Sequence, residues 1–140
     1  MMEFKWLRSD DDKSGCYALR QRIFVDEQGF VDEFDDIDKT CEHLLVTEDG
    51  VPVATARIFP QGGGVYHVGR VCVDASRRGG GVGRMVMEQI ERRAREHGAV
   101  GLELGAQARV REFYERCGYH AVGEVFYEQD CPHVTMVKKL

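Results

Sequence analysis

Residues Arg77-Arg78-Gly79-Gly80-Gly81-Val82-Gly83-Arg84 bring together what a bound phosphate group needs. An alternating stretch from Val65 to Val73 runs into the glycines, and the glycines open an amphipathic stretch from Gly81 to His97. Free amide N–H groups at a helix N-terminus, with the positive end of the helix dipole, favour an anion. Glycine lets a ligand approach backbone that a Cβ would screen. Arg77, Arg78 and Arg84 add formal positive charge around the same turn. Without a ligand, the segment would be no more than a mobile basic turn. A Walker A loop is excluded, because no Gly-Lys-Ser or Gly-Lys-Thr ending follows. A Rossmann fingerprint lacks its third glycine, since Val86 stands in that place, and the turn falls past the middle of the chain. The spacing that remains is Arg78-x-x-Gly81-x-Gly83.

Other groups able to do chemistry are scattered. His67 lies four residues before Val71 on one strand, so the two share a face. A neutral imidazole there suits a general base near neutral pH, and a half-buried strand histidine with a backbone partner accounts for it equally well. Glu103 and His133 are further base candidates, with His133 also suited to anchoring the last strands. Cys72 alternates away from Val71 and Val73, and Cys117 ends a helix, so neither is placed as a covalent nucleophile. Between Asp26 and Asp38 stand seven carboxylates and no basic residue. That stretch reads either as a solvated acidic loop or as an electrostatic lure for a cationic substrate. On the second reading Glu33 and Asp35, together with His133, are the candidate substrate-binding residues. His43 is expected to hold this loop in place.

The elements that must position these groups follow from periodicity. Glu3 to Arg8 is a first strand, and Ser9 is placed to cap a helix whose stripe is Tyr17, Leu19, Ile23 and Phe24, ending near Gly29. His43 to Thr47 and Val51 to Phe59 flank Glu48-Asp49-Gly50, with Asp-Gly as hairpin chemistry. Val65 to Val73 is a long strand after Gly62-Gly63-Gly64. Val82, Val86, Ile90 and Ala94 give the next helix its apolar face, stopped by Gly98. Val100 to Leu104 is a strand. Val110, Phe113, Tyr114 and Cys117 mark another helix, and Tyr119 to Val125 and Val134 to Val137 close the chain as strands. The order predicts an α/β domain with a mixed sheet, without internal repeats or linkers.

Bulk properties narrow the function. A chain of 140 residues suits one domain, here taken as 1–140. A net charge of −5 argues against a nucleic-acid partner. No apolar run approaches the roughly 18 residues that span a bilayer, and Met1 to Arg8 lacks the apolar stretch of a signal peptide. Five cysteines without a CxxC pair imply neither a disulfide framework nor a metal site. A reduced, cytoplasmic protein without membrane association is expected.

The turn Arg78-x-x-Gly81-x-Gly83 resembles the pyrophosphate motif of the GNAT superfamily of N-acetyltransferases. The likeness extends through Leu19 to Gln28, Asp35 to His43, Ala54 to Ile58, Gly69-Arg70-Val71, Phe113 to Tyr119 and Pro132 to Met136, which look like the ElaA/YjcF-like branch. Cys117 and Cys131 depart from that branch, which has aliphatic residues at both places. The resemblance implies a mostly antiparallel sheet flanked by helices, with splayed central strands. It implies acetyl-CoA as cosubstrate, held by Arg78, Gly79, Gly80, Gly81, Val82, Gly83 and Arg84 at its pyrophosphate, and by the backbones of Val71 and Val73 at its pantetheine arm. It also implies that Tyr114 protonates the departing thiolate, that a base sits near His67, and that a small-molecule or peptide amine attacks directly in a ternary complex. A homodimer fits the fold. The alternatives are a non-catalytic acyl-CoA-binding module and a nucleotide-binding protein.

Overall fold

Side-chain alternation divides the strands into two faces, and each face has its own cover. In the computed structural model, which describes residues 1–140, one sheet has the order β1-β2-β3-β4-β5-β7-β6. Its strands are β1 (Met2–Leu7), β2 (Glu42–Glu48), β3 (Val51–Gly62), β4 (Val65–Val73), β5 (Gly101–Gln107), β6 (His120–Glu128) and β7 (Cys131–Lys139). Only the β4–β5 pair is parallel. A parallel pair needs a crossover, and helix α2 (Val82–Glu96) supplies it. Asp49-Gly50 turns with φ of 52° and 82°, as the Asp-Gly signal predicts. The β6–β7 turn at Gln129-Asp130 has the same left-handed backbone, φ 49° and 66°, without a glycine to mark it. Both strands therefore run further toward that turn than periodicity suggests.

One face carries Leu44, Val46, Ala54, Ala56, Ile58, Val68, Leu102, Leu104, Val134 and Met136 against Val82, Val86, Met87, Ile90 and Ala94 of α2. Helix α3 (Arg111–Arg116) closes the same core with Tyr114. The other face carries Leu45 and Cys72 beneath Leu19 and Ile23. Helix α1 (Ser14–Arg20) covers this second face over β2, β3 and β4 only. No helix covers the second face of β5, β7 and β6; the segment 28–31 reaches it at Gln107, His133 and Gln129.

The first helix differs from expectation. It starts at Ser14, not after Ser9: Lys13 holds the cap position, and the Ser14 amide donates to Asp12 Oδ1 at 2.9 Å. It then widens into a π-helix over Gln21–Glu27. An apolar stripe fits either winding, so the widening leaves no mark in the sequence.

The acidic stretch departs from a solvated loop at three carboxylates, Glu33, Asp35 and Asp38, while Asp26, Glu27, Asp32 and Asp36 stay exposed. Arg20 is fully buried and donates to Glu33 at 2.9 Å and to both oxygens of Asp38 at 2.7 and 3.0 Å. Arg57 grips Asp35 at 2.7 and 3.0 Å and Asp38 at 2.9 Å, and Arg70 reaches Glu33 at 2.9 Å. Three guanidinium groups thus meet three carboxylates. His43 adds a bond from Nε2 to the Asp38 carbonyl at 3.0 Å, which fixes the loop as expected.

Burial alone would raise the Asp38 carboxyl, but hydrogen bonds from Arg20, the Asp35 amide and Arg57 outweigh it and hold the group at about 2, against an ordinary 3.8. A carboxylate lowered on folding stabilises the protein above its unfolded value and loses that contribution as pH falls through the folded one. Here that is about 2 kcal/mol, lost from the ordinary carboxylate range down to about pH 2. Urea denaturation in neutral and in acid solution should show Asp38→Asn with a flatter acid dependence than the parent chain. Arg20→Met should cost about 3–5 kcal/mol at neutral pH, because it strands buried carboxylates. An Arg20→Met chain of parental stability would show that the network does not hold the segment.

Candidate functional site

The site begins where two strands part. β4 and β5 pair from Val65↔Gly101 to Val68↔Leu104, and no further. The pairing of β4 with β3 slips between Arg57↔Gly69 and Thr55↔Cys72. At that bulge Arg70 takes a left-handed φ of 53°, which is uncommon for a residue with a Cβ. Its side chain is tied down by Glu33. Beyond the bulge the β5-facing edge of Gly69–Val73 has no strand partner. A cleft of about 950 Å³ fills the gap, with Val71, Val73, Leu104, Gly105 and Tyr114 in its walls.

At one end of the cleft lies the glycine turn. Gly79 and Gly81 both have left-handed φ, 82° and 85°, so each position needs glycine for the turn itself. Gly81 is the N-cap of α2, and the first helical bond runs from the Met85 amide to the Gly81 carbonyl at 3.1 Å. The amides of Val82, Gly83 and Arg84 precede that bond and are free of helical partners. Gly83 has a different reason to be glycine: a Cβ there would lie 3.1 Å from the Phe113 ring. Arg78 spans the turn, donating from Nε to the Val73 carbonyl at 2.9 Å and gripping Glu27 at 2.7 and 3.1 Å. Arg77 is paired with Glu48. Arg84 is mostly exposed and has only Glu88 nearby, at 3.7 Å.

Tyr114 enters from the α3 side. It is packed edge-on against Phe113 and Tyr119, and burial pushes its phenol well above the ordinary range. It therefore keeps its proton at neutral pH.

His67 enters from the open face, against Phe59, whereas Val71 packs into the α2-side core: the bulge at Arg70 breaks the alternation that would have put the two on one face. Its Nδ1 lies 3.1 Å from Gln61 Oε1, while Gln61 Nε2 donates to Glu103 Oε2 at 2.9 Å. The carboxylate can only accept, so it orients the amide with the oxygen toward His67. That oxygen takes the proton of Nδ1, and the lone pair is left on Nε2. Burial lowers the His67 pKa, partly opposed by the charges of Glu103 and Glu128. The group is thus a neutral base with its tautomer set by a neighbour. Gln61 gave no sequence signal, because a glutamine at the end of a strand is unremarkable until the register places it beside His67.

His133 shares the cleft. Its Nδ1 donates to the Cys131 carbonyl at 2.8 Å, and Phe126 stacks on the ring at 5.7 Å. This matches its expected anchoring of the last strands and still leaves Nε2 in the cleft. The lure reading of the acidic stretch needs correction. Glu33 lines the cleft but is buried and paired with Arg20 and Arg70, and Asp35 is spent on Arg57. Neither carboxylate offers free negative charge. Asp38, Cys41 and His43 bring possible metal ligands within 4.8 Å of one another, but Asp38 is already claimed by two arginines. Cys72 and Cys41 are unsuited to nucleophilic attack, since burial raises their thiols to about 12 and about 11.

Sequence and structure comparisons place the chain among known proteins. The uncharacterized N-acetyltransferase YjcF of Bacillus subtilis is 31% identical over 134 residues, spanning 94% of this chain and 95% of its own. The crystal structure of Escherichia coli ElaA superposes with a TM-score of 0.90 at 30% identity, covering 99% of this chain and 100% of that one. An acyl-CoA N-acyltransferase from Pseudomonas aeruginosa gives 0.88 at 28% identity, with 99% of each chain covered. The family model for the acetyltransferase (GNAT) domain matches residues 17–140. The chain belongs to the GNAT acetyltransferase family.

Proposed function

We propose that the protein is an acetyl-CoA-dependent N-acetyltransferase that joins both substrates in one ternary complex. The observation that carries this reading is the junction of an unpaired strand edge, Gly69–Val73, with the free amides at the start of α2. An extended amide-bearing arm suits the first, and a pyrophosphate suits the second. Val71 and Val73 would hold the arm, and Arg78, Gly79, Gly80, Gly81, Val82, Gly83 and Arg84 the pyrophosphate. Arg78 contributes by tying the turn to the strand end, since its guanidinium is already engaged. The similarity to the Pseudomonas acyl-CoA N-acyltransferase supports the same class.

In the reaction, an amine nitrogen attacks the thioester carbonyl, a C–N bond forms and the C–S bond breaks. His67 Nε2 takes the proton from the attacking amine, directly or through a water. Tyr114 donates its phenolic proton to the departing sulfur. Holding amine and thioester on opposite sides of one gap supplies the proximity that much of the rate depends on. A non-catalytic acyl-CoA carrier is the competing reading, and turnover with a panel of amines separates the two.

Three measurements test the parts. Arg84→Glu leaves the fold alone, because the side chain is exposed, but puts a negative charge beside the amides of α2. Coenzyme A affinity measured by calorimetry should fall at least about tenfold, the effect of one charge-assisted contact. Gly81→Val is a poorer probe, since its φ of 85° would strain the turn whatever is bound.

Tyr114→Phe keeps the packing and removes the proton. Turnover should drop by about a hundredfold or more with coenzyme A affinity unchanged. Turnover within about twofold of the parent when chemistry is rate-limiting would make Tyr114 a core residue only.

His67 works only when neutral, and its pKa is lowered by burial. The acid limb of the kcat/KM profile should therefore lie below 6.5, the ordinary histidine value. His67→Gln should remove that limb, and a limb that survives unchanged belongs to another group.

A further inference from the structure

Among the charged side chains of the cleft, Arg84, Arg109 and Arg116 come from the elements around the glycine turn, and Glu103 and Glu128 from β5 and β6. The cations of the neighbouring strands do not offset these two carboxylates, because Arg57 and Arg70 are occupied by Asp35, Asp38 and Glu33. Glu103 receives a neutral donor, the Gln61 amide. Glu128 is largely exposed and makes no hydrogen bond.

A second, independent feature lies beside Glu128. His133 is only 6% exposed, and its Nδ1–H is used by the Cys131 carbonyl. Nε2 is therefore an acceptor within the cleft that has no hydrogen-bond donor from the chain, and Glu128 Oε2, itself an acceptor, lies 3.9 Å away. An unpartnered acceptor opening on the cleft and a carboxylate at this spacing share one complement, a cationic donor set between them. An ammonium has three donors to divide between the two. Phe126 and Phe30 flank the imidazole, with ring centroids 5.7 and 6.5 Å away, and aromatic walls also favour a cation. The register separates this spot from the base. His67 pairs with Glu103, whereas His133 pairs with Gln107 further along the same strand. A group bound at His133 is therefore not the amine that His67 deprotonates.

We infer that the acceptor is a linear amine carrying a second, cationic group, and that His133 Nε2 and Glu128 bind that second ammonium. The inference rests on the N-acetyltransferase reading for the identity of the reacting amine, but the binding site itself does not.

Equilibrium binding to the coenzyme A-saturated protein tests it. The probes are diaminopentane, diaminohexane and diaminooctane with terminal amines, against the alkylamines, amino alcohols and ω-amino acids of the same lengths. At least one diamine should bind about tenfold or more tighter than its three matched analogues, as expected for a charge-assisted contact. The advantage should shrink as salt is added. Glu128→Gln, at an exposed position, should bring diamine and alkylamine affinities together. Equal affinity of a diamine and its alkylamine or amino alcohol at every length would overturn the inference, as would a preference that survives Glu128→Gln. Acetyl transfer measured in parallel keeps the two claims apart. Transfer to amines without any diamine preference sinks this inference and leaves the enzyme reading standing. Diamine-selective binding without transfer to any amine supports the inference and sinks the enzyme reading.

Discussion

The ion pair between Arg70 and Glu33 governs the shape of the whole site. Arg70 sits in left-handed backbone at the bulge where β4 leaves β5, a conformation that costs on the order of 1 kcal/mol for a residue with a Cβ. Glu33 secures its guanidinium at 2.9 Å, and the Glu33 backbone carbonyl accepts a further bond at 3.0 Å. Glu33 is in turn fixed by Arg20, which is fixed by Asp38, which is shared with Arg57. The bulge, the parting of the strands and the path of residues 26–38 are therefore set by one set of charges. Such a network is costly to desolvate and gains from being complete. One orphan remains in it, the buried Nε of Arg57.

In the proposed reaction, this arrangement would divide the chemistry between the two faces of one sheet. Tyr114 reaches the gap from the face covered by α2 and α3, and His67 from the face that α1 leaves open over β5, β7 and β6. Between them the strands carry little bulk: Gly69 and Gly105 face the gap, and Phe126 would stand 3.4 Å from a Cβ on Gly105. A reacting carbonyl in the gap would have a proton donor on one side and a proton acceptor on the other. The parted strands thus give two opposed proton-handling groups access to one centre without a deep pocket through the core.

Legibility in the sequence followed the range of the interaction responsible. The Val65–Val73 strand was read to its observed limits, and α2 to within a residue, because strand alternation and the Gly81 and Gly98 stops are local signals. The glycine turn was legible for the same reason, except that Gly83 owes its identity to Phe113, a contact thirty positions away. The neutralisation of Glu33, Asp35 and Asp38 is invisible in the sequence because their partners, Arg20, Arg57 and Arg70, lie on three different elements. Charge density along the chain cannot reveal neutralisation across it. Gln61 and Glu128 carry no local signal because their places beside His67 and His133 come from strand register, which pairs His67 with Glu103 and Phe126 with His133.

The proton balance of the proposed reaction gives the two ionisable groups unequal duties. A lowered His67 accepts a proton easily only from a strong acid, and an amine that has begun to bond to carbonyl carbon becomes one. A raised Tyr114 parts with its proton reluctantly, and an ordinary thiol near 8.5 would be the stronger acid of the pair. Complete transfer from phenol to thiolate would then run uphill. Burial changes that comparison, because desolvation raises the pKa of any group whose charged form is an anion, sulfur included. A thiolate formed in the same apolar gap as the Tyr114 hydroxyl gains proton affinity from the surroundings that raise the phenol. The two values converge, and a short hydrogen bond between matched partners can carry the developing charge through the transition state. The apolar packing of Phe113, Tyr114 and Tyr119 thus keeps the phenol protonated and, in the proposed reaction, would make its proton worth more to the departing sulfur.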